Sequence, residues 1–291
     1  QRMYARNTNT LVFCEDKVLN ILTNKDALYN ADGNSNVTSS NNVLGAPTPI
    51  PGDYGISTSP ESLAVAPGAM YWCDPMRGKV LKLEGNSTIK TLSDVGMKDY
   101  FNDTLMNVSD IIGTYDEKKA DYNISIGKKV TPSQVFSTKT TLTYSEVVKG
   151  WTAFKSFEPE MGVSLNNEYY TFKNGQMWQH HVSESIDYTP TAVPPNNFYG
   201  VQYYPDVTLF LNDNPGSVKS FNTLNYEGTQ SRITSHLTDL DYYNLGTKKG
   251  WYVDSLTTDL QEVGQLEFKS KEGKWFSAIK GIATTLDNLD E

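Results

Sequence analysis

Apolar residues fall along this chain in short alternating runs, and turn-forming residues separate one run from the next. Residues 10–14 and 18–22 are two such runs around the polar tripeptide Glu15-Asp16-Lys17, the pattern of a β-hairpin. Residues 69–73 and 79–83 flank Asp74-Pro75-Met76-Arg77-Gly78, and residues 88–92 complete a three-run meander. An Asp at the start of such a turn caps it, and the Gly supplies the positive φ that returns the chain. Residues 111–116 and 121–126 repeat the pattern around Glu117-Lys118-Lys119, and 140–145 alternate as a strand. Residues 151–157 place Trp151, Phe154 and Phe157 among smaller side chains, predicting one strongly apolar face. Residues 168–172 and 176–180 enclose Lys173-Asn174-Gly175, and Asn-Gly is among the strongest short hairpin signals.

Further strands are expected over 198–204, 207–211, 218–226, 251–253 and 266–269, with 274–280 as a last strand or the start of a helix. Helical pattern is confined to 100–108 and the tail beyond 282. Residues 30–55, rich in Asn, Ser, Gly and Pro, and residues 186–197 read as long surface loops suited to contacts with other proteins. The predicted fold is all-β: antiparallel meanders with long surface loops, arranged as an irregular or incomplete β-propeller. The unit around Asp74 and Gly78 has the form of the inner hairpin of a propeller blade. One β-rich domain is expected over 1–281, followed by a short tail at 282–291.

Composition narrows the classes. Aromatics make up 12 % of 291 residues, enough buried surface to exclude intrinsic disorder. The formal net charge is −9, which disfavours a nucleic-acid binder built on a basic face. No run approaches the ~18 apolar residues of a membrane-spanning helix. Two cysteines exclude a disulfide scaffold; Cys14 and Cys73 read as free thiols inside apolar runs, a bridge between them being the minor alternative. Asn-x-Ser/Thr occurs at Asn36, Asn86, Asn102, Asn107 and Asn123. With 24 Asn and 53 Ser plus Thr, chance alone gives roughly four, so these carry no signal of secretion. The chain opens on Gln1-Arg2-Met3 without an apolar leader, and is expected to be a processed product or a piece of a longer polypeptide.

Candidate chemistry is sparse. His180 and His181 are adjacent, so in a strand they face opposite ways and make a poor metal site; His236 lies in a polar stretch. No metalloprotease, redox, hydrolase, phosphate-loop or dinucleotide motif is present. Asp74, Glu158, Glu160 and Glu272 are the carboxylates from which a glycosidase pair could be drawn, though turn capping suits Asp74 and a solvated loop suits Glu158-Pro159-Glu160. The clusters Asn30-Ala31-Asp32-Gly33-Asn34 and Asn212-Asp213-Asn214 are oxygen-rich but lack the distal Glu of a calcium loop. No catalytic, cofactor-binding or metal-binding residue is assigned.

An ordered set of segments resembles a group of tailed-bacteriophage virion proteins, those of crAss-like phages and related podoviruses. It runs from Gly55-Ile56 and Pro60-Glu61-Ser62 through Tyr71-Trp72-Cys73-Asp74 and Arg77-Gly78-Lys79-Val80-Leu81-Lys82-Leu83 to Gly96-Met97-Lys98-Asp99-Tyr100-Phe101. It continues through Gly113-Thr114-Tyr115-Asp116, Gly150-Trp151-Thr152-Ala153-Phe154-Lys155-Ser156-Phe157, Ser164-Leu165-Asn166-Asn167 and Tyr169-Tyr170-Thr171-Phe172-Lys173-Asn174-Gly175. It ends with Asn197-Phe198-Tyr199-Gly200, Val218-Lys219-Ser220-Phe221, Asn225-Tyr226-Glu227-Gly228 and Lys271-Glu272-Gly273-Lys274-Trp275-Phe276. The resemblance implies a non-enzymatic tail component of the nozzle or muzzle type, near the C-terminal part of a longer structural protein. Implied partners are further copies of itself in a ring, other tail proteins and genomic DNA in transit; no cofactor and no membrane span are implied. Virion location and assembly in the host cytoplasm follow from the same resemblance. The alternative expectation is a carbohydrate-binding or glycoside-hydrolysing propeller.

Overall fold

The computed structural model describes residues 1–6, 8–29, 35–85, 88–128, 139–182, 196–231, 250–257, 262–263 and 268–279, with the backbone alone over 24–29, 35–42 and 262–263. It is built almost wholly of antiparallel sheets, with one short α-helix among the described residues. Two compact units divide it, Gln1–Val207 and Thr208–Glu291.

The first unit stacks its sheets in chain order. The first sheet is β1 (Arg2–Ala5), β2 (Asn9–Phe13), β3 (Val18–Tyr29) and β4 (Ser35–Pro49), a simple meander. The second is β5 (Ala64–Ala66), β6 (Ala69–Asp74), β7 (Lys79–Glu84) and β8 (Thr88–Thr91). After helix α1 (Lys98–Leu105) the third sheet runs β9 (Val108–Asp116), β10 (Asp121–Lys128), β11 (Lys139–Ser145) and β12 (Gly150–Lys155). The fourth has three strands, β13 (Met161–Leu165), β14 (Glu168–Lys173) and β15 (Gln176–Gln179).

Side-chain alternation explains the stacking. On β6, Met70 and Trp72 face the first sheet and join Leu11, Phe13 and Val18, with Leu81 and Leu83 of β7. Tyr71 and Cys73 face the other way and join Ile111, Tyr122, Ile124, Leu142 and Tyr144 of the third sheet. The two central strands of the second sheet, β6 and β7, are therefore buried on both faces, which is why they read as nearly continuous apolar runs. Gly113 of β9 crosses this interface closely: a Cβ there would lie 1.9 Å from the Ser62 carbonyl oxygen.

Trp151 and Phe154 lie three positions apart, which in a regular strand puts them on opposite faces. The β11–β12 register shifts at Thr143/Tyr144, where Trp151 opposes Tyr144 and Ala153 opposes Thr143. The extra residue, Thr152, restores both aromatics to one face. There Trp151 meets Phe101 at 4.7 Å between ring centroids, and Phe154 meets Tyr100 at 5.7 Å. The helix that supplies Phe101 begins two residues before the expected span and ends at Leu105.

Several strand expectations hold and others change. The hairpins at 10–22, 69–84, 111–126 and 168–179 form as expected. Asn174 and Gly175 have φ of 54° and 71°, the two left-handed residues of a type I′ turn. Residues 35–49 form a strand rather than a loop, paired with β3 from Leu19↔Pro49 to Tyr29↔Ser35. Pro47 and Pro49 are tolerated there because β4 is an edge strand. β2 accompanies β3 only as far as Leu22, so the two longer strands continue beyond it as a two-stranded ribbon.

Residues 198–204 hold only a minimal hairpin, β16 (Asn197–Phe198) with β17 (Val201–Gln202), because Tyr199 and Gly200 turn at positive φ. In the second unit, β18 (Thr223–Tyr226) pairs with β22 (Lys274–Ala278), which pairs with β21 (Lys269–Lys271). A further two-stranded pair is β19 (Leu256–Thr257) with β20 (Glu262–Val263). Phe268 is the fully buried centre of this unit, against Leu224, Tyr226 and Trp275. Residues 207–211 and 218–222 carry strand-like patterns but have no strand partner among the described residues. Around 251–253 a single parallel bridge, Gln230↔Trp251, replaces the expected strand. The expected tail helix beyond 282 lies outside the described residues, and the described residues form no closed propeller.

Candidate functional site

The polar chemistry of the first unit gathers at the seam between the third and fourth sheets. The face of the third sheet turned to the fourth carries Thr114, Asp116, Asn123, Ser125, Thr141 and Thr143, all buried. These alternate in register with the apolar residues of the opposite face. Buried hydroxyls need partners, and they find them. Ser125 and Thr141 share a hydrogen bond at 2.6 Å, Thr143 donates to Asn123 Oδ1 at 2.6 Å, and Thr114 meets the Tyr169 hydroxyl at 2.7 Å.

His180 lies inside this seam against Phe157, Tyr169 and Phe198, its Nε2 2.7 Å from Thr171 Oγ1. Burial, reinforced by the neighbouring His181, pushes its pKa down to about 4. The strand ends at Gln179, before both histidines, and a φ of 57° at His181 swings its ring to Asp116, with Nε2 2.5 Å from Oδ2. The two imidazoles thus separate by backbone reversal rather than by strand alternation, with centroids 6.2 Å apart. Among the described residues no group of three or more His, Cys, Asp and Glu could hold a metal ion. His236 and the Asn30–Asn34 cluster lie outside the described residues.

A second network joins the second and third sheets. Lys82 faces inward on β7 and ion-pairs with Glu84 and Glu146, each at 2.7 Å. The Tyr71 hydroxyl donates to Glu146 Oε1 at 2.6 Å, and its ring stacks between Tyr122 and Tyr115. Burial works against the Lys82 charge, but Glu146 and Glu84 outweigh it and raise its pKa. Burial and then the Glu146 hydrogen bond raise that of Tyr71. These residues were absent from the sequence-based candidates. The signal was there: Lys82 interrupts the apolar run Val80-Leu81-Lys82-Leu83 on the same parity as Val80.

The candidate carboxylates serve the scaffold. Asp74 is fully buried and accepts from Ser57 Oγ at 2.6 Å, Gly55 N–H at 3.1 Å and Arg77 N–H at 3.3 Å, with the Arg77 guanidinium at 3.0 Å. It caps the turn that Gly78 closes at φ 62°. Glu160 accepts the Asn174 N–H at 3.1 Å and Glu158 lies 3.7 Å from Lys173. Glu272 occupies the β21–β22 turn at φ 52°. Cys14 and Cys73 are both free, Cys73 buried with its thiol pushed up by burial.

The site is thus a set of closed polar joints between stacked sheets, and comparison with known families fits that character. Residues 19–175 match the Crassvirus muzzle protein and residues 193–281 the Crassvirus muzzle protein C-terminal domain. The chain belongs to the Crassvirus muzzle protein family, and is a structural protein of a bacteriophage virion. Comparison with curated proteins returns no match. No helix among the described residues is long and apolar enough to cross a membrane.

Proposed function

We propose that this chain is a non-enzymatic subunit of a homo-oligomeric muzzle ring at the distal end of a short tail, surrounding the channel through which DNA leaves. The family match over 19–175 and 193–281 carries this reading. The stacking of successive antiparallel meanders about shared apolar cores supports a rigid, irregular and incomplete propeller within the first unit. The formal charge of −9 supports a wall that repels DNA and lets it slide. The use of Asp74, Glu158 and Glu160 as structural acceptors and ion-pair partners supports the absence of catalysis. The β3–β4 ribbon is a contact element in this reading, because an isolated two-stranded ribbon is only marginally stable in water. Neighbouring tail proteins are the other partners, and assembly takes place in the host cytoplasm. Immunogold labelling of purified virions tests the placement: label at the distal tip of the tail is expected, and label confined to the head would refute it.

A further inference from the structure

Among the described residues, the first three sheets of the N-terminal unit each contain four strands and the fourth contains three. Its outer edge is β15, which pairs with β14 on one side and with no strand among the described residues on the other. Met177 on that edge is 60 % exposed. The Trp178 indole N–H is buried yet finds no acceptor among the described residues, whereas a buried indole donor ordinarily has one. The edge sequence Gln176-Met177-Trp178-Gln179 carries no charge.

Elsewhere the chain carries a strand-like sequence that forms no strand. Val207-Thr208-Leu209-Phe210-Leu211 is apolar, β-branched or aromatic, and uncharged. It pairs with nothing among the described residues, and Leu209 and Phe210 are 74 % and 87 % exposed. A segment of this composition left bare is an aggregation site, so in the working state it is covered.

We propose that residues 207–211 of one copy add to β15 of a second copy as the fourth strand of that sheet. Both halves of the contact, an open edge and an exposed strand-like segment, occur on one sequence, and neither has a strand partner there among the described residues. Strand addition supplies main-chain hydrogen bonds and brings acceptors beside Trp178. Such a contact is head-to-tail and propagates around a ring. The inference rests on the ring reading above and names the surface that closes it.

The test uses the full chain with Cys14→Ser. A tagged Met177→Cys copy is mixed with untagged copies that each carry one added cysteine, at a position from 207 to 211, with Cys73 buried in all of them, and the mixture is oxidised. Tagged dimers are expected, with yields alternating at a period of two residues, because alternate side chains of an added strand face the same way. Assembled particles without these cross-links, or cross-links of uniform yield, overturn strand addition and leave the ring standing. A chain that stays monomeric by light scattering overturns both. Independently, Phe210→Asp, at an exposed position, is expected to leave the thermal midpoint unchanged and raise the concentration for half-assembly about tenfold or more. Unchanged assembly contradicts the proposal.

Discussion

At the scale of single residues, the buried polar groups of this protein act as joints. His180 is neutral in the folded protein because burial holds its pKa near 4, below the ordinary value of 6.5. A depressed histidine contributes stability that is complete above pH 6.5 and declines as pH falls, because the unfolded chain takes up the proton first. The unfolding free energy of the N-terminal unit is therefore expected to drop between pH 6.5 and 4, by at most about 3 kcal/mol from this group. His180→Asn, which keeps a polar partner for Thr171, flattens that part of the profile in denaturant titrations; an unaltered slope would show that other groups govern it. Asp74 makes the complementary prediction. Replacing it by Ala leaves Arg77 and the Gly55 N–H without their acceptor, at an expected cost of about 3–5 kcal/mol. A glycan-cleaving role would instead predict lost turnover at unchanged stability.

At the scale of elements, the legible parts of the fold were those whose information is local. The Asn174-Gly175 hairpin and the Asp74–Gly78 turn are specified by residues in direct succession, and both form. The reading of 35–49 as a loop failed because its Asn, Ser and Pro content disfavours a strand locally, while the twelve-residue strand beside it supplies the pairing. Residues 207–211 failed in the opposite sense: the pattern is that of a strand, but no neighbour among the described residues completes it. The His180–His181 arrangement was hidden by a positive φ at a non-glycine residue, and the Lys82–Glu146 joint by a sequence separation of 64 residues. Sheet packing makes its own prediction at Gly113. A methyl group there would collide with the Ser62 carbonyl, a backbone atom that cannot move aside alone. Gly113→Ala is expected to destabilise the second-to-third sheet interface by about 3 kcal/mol or more, measured by chemical unfolding. Gly150→Ala, in open space, serves as the control with little effect.

At the scale of the whole molecule, each interface between consecutive sheets of the N-terminal unit has its own chemistry. The first two are apolar cores, the second of them pinned by the Lys82–Glu146 joint, and the third is a polar seam. Stacked sheets joined in this way suit a structural component of a virion. In the proposed ring, the acidic balance that disfavours a DNA-binding face also fits a wall past which DNA slides. The most direct measurement is cryo-electron microscopy of purified virions, with the chain identified in the map by its side-chain density. Copies arranged as a closed ring at the distal end of the tail are predicted. Finding the chain in infected-cell lysate but in no particle, or in the particle only as isolated copies away from the tail, would contradict the account.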